Sequence, residues 1–242
     1  MEGLSVPCSE EFPVAQLVLF HSAYGLRPAV QEAADRLRAA GHQVHVPDVY
    51  DGKVFDDLDE GMAYREEVGT DELLRRAVGA VAPLLTPGSA LVYAGFSLGA
   101  ALAQNLALAD EHARGLLLLH GTSDVREDAA TSIPVQLHVA EPDVYETEDW
   151  LNAWYLQLSR AGAEIEVHRY RGAGHIFTDP ELPDYDAEAA EQTWAAVLDF
   201  LAELSELSEP AESSEPAELS EPAESSESLE PAEDGPAAVD RG

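Results

Sequence analysis

The chain of 242 residues contains one cysteine, Cys8, and two methionines. A lone cysteine excludes an intramolecular disulfide, so the fold must rest on its core, and a reducing, cytoplasmic setting is expected. Basic residues are scarce: 13 lysines and arginines stand against 47 acidic residues, for a net charge of −34. A surface of that sign repels phosphate backbones and anionic lipids, so neither nucleic acid nor a membrane surface is an expected partner. No apolar run approaches the ~20 residues of a membrane span. The segment Met1 to Pro13 lacks the basic and apolar regions of a signal peptide. Nucleotide-binding glycine patterns are missing as well. His42 and His45 flank a short strand with no cysteine and no obvious third ligand nearby, which is a poor metal set. No metal and no cofactor are expected.

What is present suits one globular α/β unit. Hydrophobic residues make up 45% of the chain, and its length allows a sizeable core. Nothing in the sequence asks for more than a monomer or small homo-oligomer. The division expected is a folded domain over 1–204 and a tail over 205–242. The tail carries twelve acidic residues and one arginine. Its Ser/Glu/Pro/Ala units repeat every six residues, with glutamate at every third position from Glu203 to Glu233. Prolines 210, 216, 222 and 231 block a continuous helix, and little apolar surface offsets the entropy of ordering, so the tail reads as disordered.

Up to residue 204, strand and helix signals alternate. Val14–Phe20, Gln43–Pro47, Ser89–Ala94, Leu116–Leu119, Val135–Val139 and Glu164–Tyr170 read as strands. Between and after them, Pro28–Ala40, Asp71–Leu85, Leu98–Ala109, Asp149–Ala161 and Asp186–Leu204 show helical spacing. The pattern predicts a mostly parallel sheet with helices on both faces. The acidic run Asp56 to Glu60 reads as a solvated loop or helix start rather than a cation site. In such sheets ligands bind beyond the carboxyl ends of strands, so chemistry should follow a strand directly.

Gly95-Phe96-Ser97-Leu98-Gly99 meets that test. This G-x-S-x-G sequence follows one predicted strand and opens one predicted helix, as the nucleophile elbow of an α/β-hydrolase fold requires. Serine needs a base, and the base needs an acid to orient it. In this fold the chain order is serine, acid, histidine. His175 follows the sixth strand in a glycine-rich loop. Asp143 follows the fifth, with Glu141 the runner-up and Asp124 a weaker alternative. His112 and His120 precede Asp143, in the wrong order, and His168 lies within a strand. The oxyanion calls for two backbone donors: Leu98, after the nucleophile, and one residue of the loop His21 to Gly25. Tyr24, Tyr64 and Trp150 are candidate pocket walls or core residues.

His138-Val-Ala-Glu-Pro-Asp143, Gly172-Ala-Gly-His175-Ile-Phe177 and Pro47-Asp48-Val-Tyr50 together resemble the dienelactone hydrolase family over roughly residues 14–202. The resemblance implies a compact α/β hydrolase without a large lid or a metal. It implies Ser97, Asp143 and His175 as the triad, and Ala23 as the oxyanion donor beside Leu98. Three positions depart from the founding members, beginning with Ser97 where they use a cysteine nucleophile. Ser22 stands where they keep a glutamate that controls the thiol. Asp179 stands where they keep an arginine that binds the substrate carboxylate. Ser22 and Tyr24 are the candidate substrate contacts.

Two functions follow. One is a carboxylic-ester or lactone hydrolase working through an acyl-enzyme. The other is a catalytically silent binding protein on the same fold, acting through its acidic tail.

Overall fold

The computed structural model describes residues 15–206. Cys8, the Met1–Pro13 segment and the repeat from Leu207 onward lie outside the described residues. Six strands form one sheet: β1 (Gln16–Phe20), β2 (Gln43–His45), β3 (Leu91–Phe96), β4 (Gly115–Leu119), β5 (Pro134–Glu141) and β6 (Glu164–Arg171). Their order is β2-β1-β3-β4-β5-β6, and every pairing is parallel. All carboxyl ends therefore open on one edge. The order reverses between β1 and β3, which places a crevice between the loops that leave those two strands.

The helices are α1 (Pro28–Ala39), α2 (Leu58–Val68), α3 (Thr70–Val81), α4 (Leu98–Ala107), α5 (Glu148–Ala161) and α6 (Ala187–Glu206). Period-two alternation splits each central strand between two cores. Leu91 and Tyr93 join Leu73, Ala103, Trp154 and Leu158, from α3, α4 and α5. Val92, Ala94 and Phe96 join Val30, Leu37, Trp194 and Leu201, from α1 and α6. The strands β3 and β4 are buried throughout, as parallel strands covered on both faces must be. At the edge, β6 is only partly covered and alternates in burial.

Local chemistry accounts for most boundaries. Pro28 opens α1 at a position where its missing N–H costs nothing. Thr147 caps α5 by accepting from the Trp150 amide, and Gly162 ends that helix in the left-handed region. The acidic run Asp56 to Glu60 proves to be a helix start: Asp57 caps α2 through the Glu60 amide, with Asp59 and Glu60 in its first turn. The periodicity of α2 is weak, and the sequence shows only its beginning. The last helix runs two residues past the expected domain edge. Ser205 and Glu206 are helical, and the buried Ser205 hydroxyl donates to the Leu201 carbonyl. Among the described residues no segment forms a large lid, and no helix is long and apolar enough to cross a membrane.

Candidate active site

The strand β3 runs to Phe96 and α4 begins at Leu98, so Ser97 alone makes the turn between them. Its backbone sits at φ 49° and ψ −107°, a strained conformation for a non-glycine residue. Three glycines leave room for it. A Cβ on Gly95 would strike the Gly99 backbone, and one on Gly99 would strike the Phe20 and His21 carbonyls. A Cβ on Gly121 would come within 2.7 Å of the Ser97 Cα. The Ser97 amide donates to the Leu119 carbonyl at 2.7 Å, tying the turn to the end of β4.

The structure brings Ser97, His175 and Asp143 together from the ends of three strands. Ser97 Oγ lies 3.0 Å from His175 Nε2. On the other side of the ring, Nδ1 lies 2.8 Å from Asp143 Oδ2. Both the Asp143 and His175 side chains are buried. Burial by itself raises the Asp143 carboxyl, but the His175 ring and the Tyr145 and Glu146 amides outweigh it and leave the carboxyl below its ordinary value. Glu141, the runner-up, pairs instead with the exposed Arg171 at 2.9 Å. Asp124 is exposed, and its carbonyl accepts from the Gln104 side chain.

The other histidines are occupied elsewhere. His120 is wholly buried and shares a 2.7 Å hydrogen bond with Thr178. Burial, then the neighbouring His175 and His138, hold its pKa well below the ordinary value. His168 stacks on His138 with ring centroids 4.7 Å apart. His112 is exposed beside Glu111. His42 Nδ1 accepts from the Ala15 amide and His45 faces Gln16, so the two rings have separate partners.

The two amides expected to hold an oxyanion lie at the switch point. Leu98 opens α4, where helix N–H groups lack intrahelical partners. Ala23 is buried in the loop after β1. Neither amide has an acceptor among the described residues. The Ser22 hydroxyl accepts from the Tyr24 amide at 3.3 Å, so it also supports that turn. Tyr24 is half-buried beside Tyr145 and Asp184; its phenol is pushed up by burial first and by those two neighbours next. Tyr64 packs on Tyr50 and Phe55, and Trp150 donates to the Thr122 hydroxyl.

Four participants carry no recognisable sequence signal. The Tyr145 ring lies 4.6 Å from the His175 ring and is half-exposed. Buried Glu146 accepts from both the amide and the hydroxyl of Thr122, at 3.0 and 2.7 Å, and so clamps the loop after β4 to the Asp143 loop. Burial raises its carboxyl, against the pull of those hydrogen bonds. Arg27 pairs with Asp179, and His21 binds backbone on two sides. Each depends on contacts distant in sequence, or on backbone groups that every residue carries.

A parallel sheet with a serine on a strained strand-to-helix turn, facing a histidine and a carboxylate, defines an α/β hydrolase. The chain belongs to the dienelactone hydrolase family, whose model matches residues 2–205. Among solved structures it is similar to a dienelactone hydrolase-like promiscuous phosphotriesterase from metagenomic libraries, at 24% identity and TM-score 0.67 over 81% of this chain and 88% of that one. A dienelactone hydrolase from Anabaena variabilis is 20% identical, with TM-score 0.54 over 79% and 85% of the two chains. The esterase PE8 is 18% identical, with TM-score 0.57 over 78% and 92%. No protein of curated function matches the chain in sequence.

Proposed function

We propose that the protein is a serine hydrolase of small, uncharged carboxylic esters or lactones. The observation that carries this reading is the continuous relay from Ser97 Oγ through the His175 ring to Asp143. Ser97 attacks the carbonyl carbon while His175 Nε2 takes its proton. Asp143 holds the Nδ1 proton, which fixes the tautomer and stabilises the imidazolium. The amides of Leu98 and Ala23 receive the developing oxyanion, and the N-terminus of α4 adds its partial positive charge. Collapse of the tetrahedral species passes the proton from His175 to the leaving alkoxide and leaves an acyl-Ser97. Water, deprotonated by the same ring, then releases the acid. Tyr24 and Ser22, on the turn beside the elbow, are the substrate contacts we assign, with Tyr145 opposite.

Family membership supports a hydrolase, and the site supports esters over anionic lactones. Asp179 replaces the arginine expected to bind a carboxylate, and it is engaged by Arg27.

A fluorophosphonate probe should label Ser97, mapped by mass spectrometry. Ser97→Ala should abolish both labelling and cleavage of p-nitrophenyl acetate. Near-normal turnover by Ser97→Ala would overturn the mechanism. An unlabelled Ser97 in an enzyme with no esterase activity would return the protein to the binding-module reading.

A further inference from the structure

We propose that His21 is a positioning residue for the oxyanion pocket: its ring aims the Ala23 amide into the site. The inference rests on the reading of Ser97 as nucleophile and Ala23 as an oxyanion donor.

Among the described residues the one cis peptide is Glu141–Pro142, so the Ser22–Ala23 peptide is trans. In a trans peptide the C=O and the following N–H point in opposite directions within one plane. Whatever holds the Ser22 carbonyl therefore also sets where the Ala23 N–H points. Two donors hold it. The Gly25 amide closes a tight turn onto it at 3.0 Å, and His21 Nδ1 reaches it at 2.8 Å.

The His21 ring is itself held. It is wholly buried, and its Nε2 lies 3.1 Å from the Val49 amide. A backbone N–H can only donate, so Nε2 is the acceptor and Nδ1 carries the proton. That tautomer is the one that can donate to Ser22. Tyr50 packs edge-on against the ring at 5.0 Å. Asp48 is the charged group facing it, 3.5 Å from Nε2. Burial outweighs the Ser22 and Asp48 contacts and favours the neutral ring.

The next peptide is confined from another side. A Cβ on Gly61 of α2 would strike the Ala23 carbonyl, so the helix lies directly against it. Ala23 is buried, and its N–H has no acceptor among the described residues. An unpaired buried amide is costly and rare, and a developing oxyanion would satisfy it. The segment after β2 thus holds the His21 ring, the ring holds the Ser22 carbonyl, and the carbonyl orients the catalytic amide.

Two variants separate positioning from packing. The amide of His21→Asn can still donate to Ser22 but cannot reach Val49. The longer side chain of His21→Gln can accept from Val49 but offers Ser22 no donor in place. Each gives up one hydrogen bond, so a merely structural role predicts similar losses. We expect His21→Asn to keep kcat within about 3-fold, and His21→Gln to lose roughly 30-fold or more in kcat with KM within about 2-fold, as for a disturbed oxyanion donor. Affinity for phenylboronic acid, which forms a tetrahedral adduct on the nucleophile, should fall in parallel in His21→Gln alone. The inference is overturned if His21→Gln keeps its kcat, or if both variants lose kcat in step with their melting temperatures. Should Ser97→Ala remain active, the underlying site reading fails instead, whatever the His21 variants do.

Discussion

Arg27 Nε donates to Asp179 Oδ2 at 2.9 Å, and both side chains are buried. The two residues lie 152 positions apart and join the loop before α1 to the loop after His175. Arg27 also donates to the Phe55 carbonyl, Asp56 and Glu181, so three carboxylates surround one guanidinium. Removing the cation leaves Asp179 buried without a counter-ion, holding only the Glu181 amide. Arg27→Ala should destabilise the protein by roughly 3 kcal/mol or more, read as a lower urea midpoint. The double variant Arg27→Met, Asp179→Leu should recover much of that loss. If Arg27→Ala melts like the parent, the pair is not structural.

The same cluster bears on substrate charge. Asp179, Glu181 and Asp184 all lie within ten residues of His175, and the whole chain carries −34. Among matched p-nitrophenyl esters, one with a carboxylate on its acyl chain should show kcat/KM about 10-fold or more below its neutral counterpart. Added salt should narrow the gap, because screening weakens the repulsion. Equal rates at low salt would contradict this.

The relay makes a sharp distinction between two nearby acids. Asp143→Asn leaves the side chain's shape but loses the charge and its control of the His175 tautomer. We expect kcat to fall by roughly 10³- to 10⁴-fold. Glu141 pairs with exposed Arg171, so Glu141→Gln should stay near the parent rate. Steady-state kinetics on p-nitrophenyl acetate checks both.

Glycines differ by what surrounds them. Gly121→Ala would press its methyl on the Ser97 backbone, so loss of activity is expected together with a stability loss of roughly 2 kcal/mol or more. Gly79→Ala, on the exposed side of α3 with nothing within 4 Å, should instead stabilise by about 0.5 to 1 kcal/mol. Thermal melts of the two variants should move in opposite directions.

Buried neutral histidines set an acid limit. Burial is the largest cause lowering His21, His120 and His138, the last to about 3. Unfolded chains take up these protons near 6.5, whereas the native rings resist them. Their stabilisation is therefore full above about pH 6.5 and is lost as pH falls toward the native values, at roughly 1 kcal/mol per pH unit per ring. Glu146 has the opposite sign: its raised carboxyl favours the native state at low pH, an advantage lost as pH rises from 4.5 through its folded value. Urea titrations should show stability dropping by roughly 2 to 4 kcal/mol between pH 7.5 and 5.5. A flat profile there would count against neutral burial.

Much of the frame was legible because it is written in local patterns. Strand and helix periods along β1 to α6 follow directly from which residues must be buried. The elbow could be read because Gly95 and Gly99 are needed wherever α4 must leave β3 so tightly. The short helix α2 was legible only at its start, because its apolar spacing is weak and its place depends on packing against the Ala23 loop.

By itself, then, the sequence determined the order of elements, the strained serine between β3 and α4, and the acid and histidine at the ends of later strands. Those features depend on neighbouring residues and on chain order. Tertiary structure alone decided that Glu146 clamps Thr122, that Arg27 engages Asp179, and that His21 grips the carbonyl behind Ala23. Each of these rests on a hydrogen bond whose partner is set by how separate loops meet above one sheet edge, and no local pattern encodes that meeting.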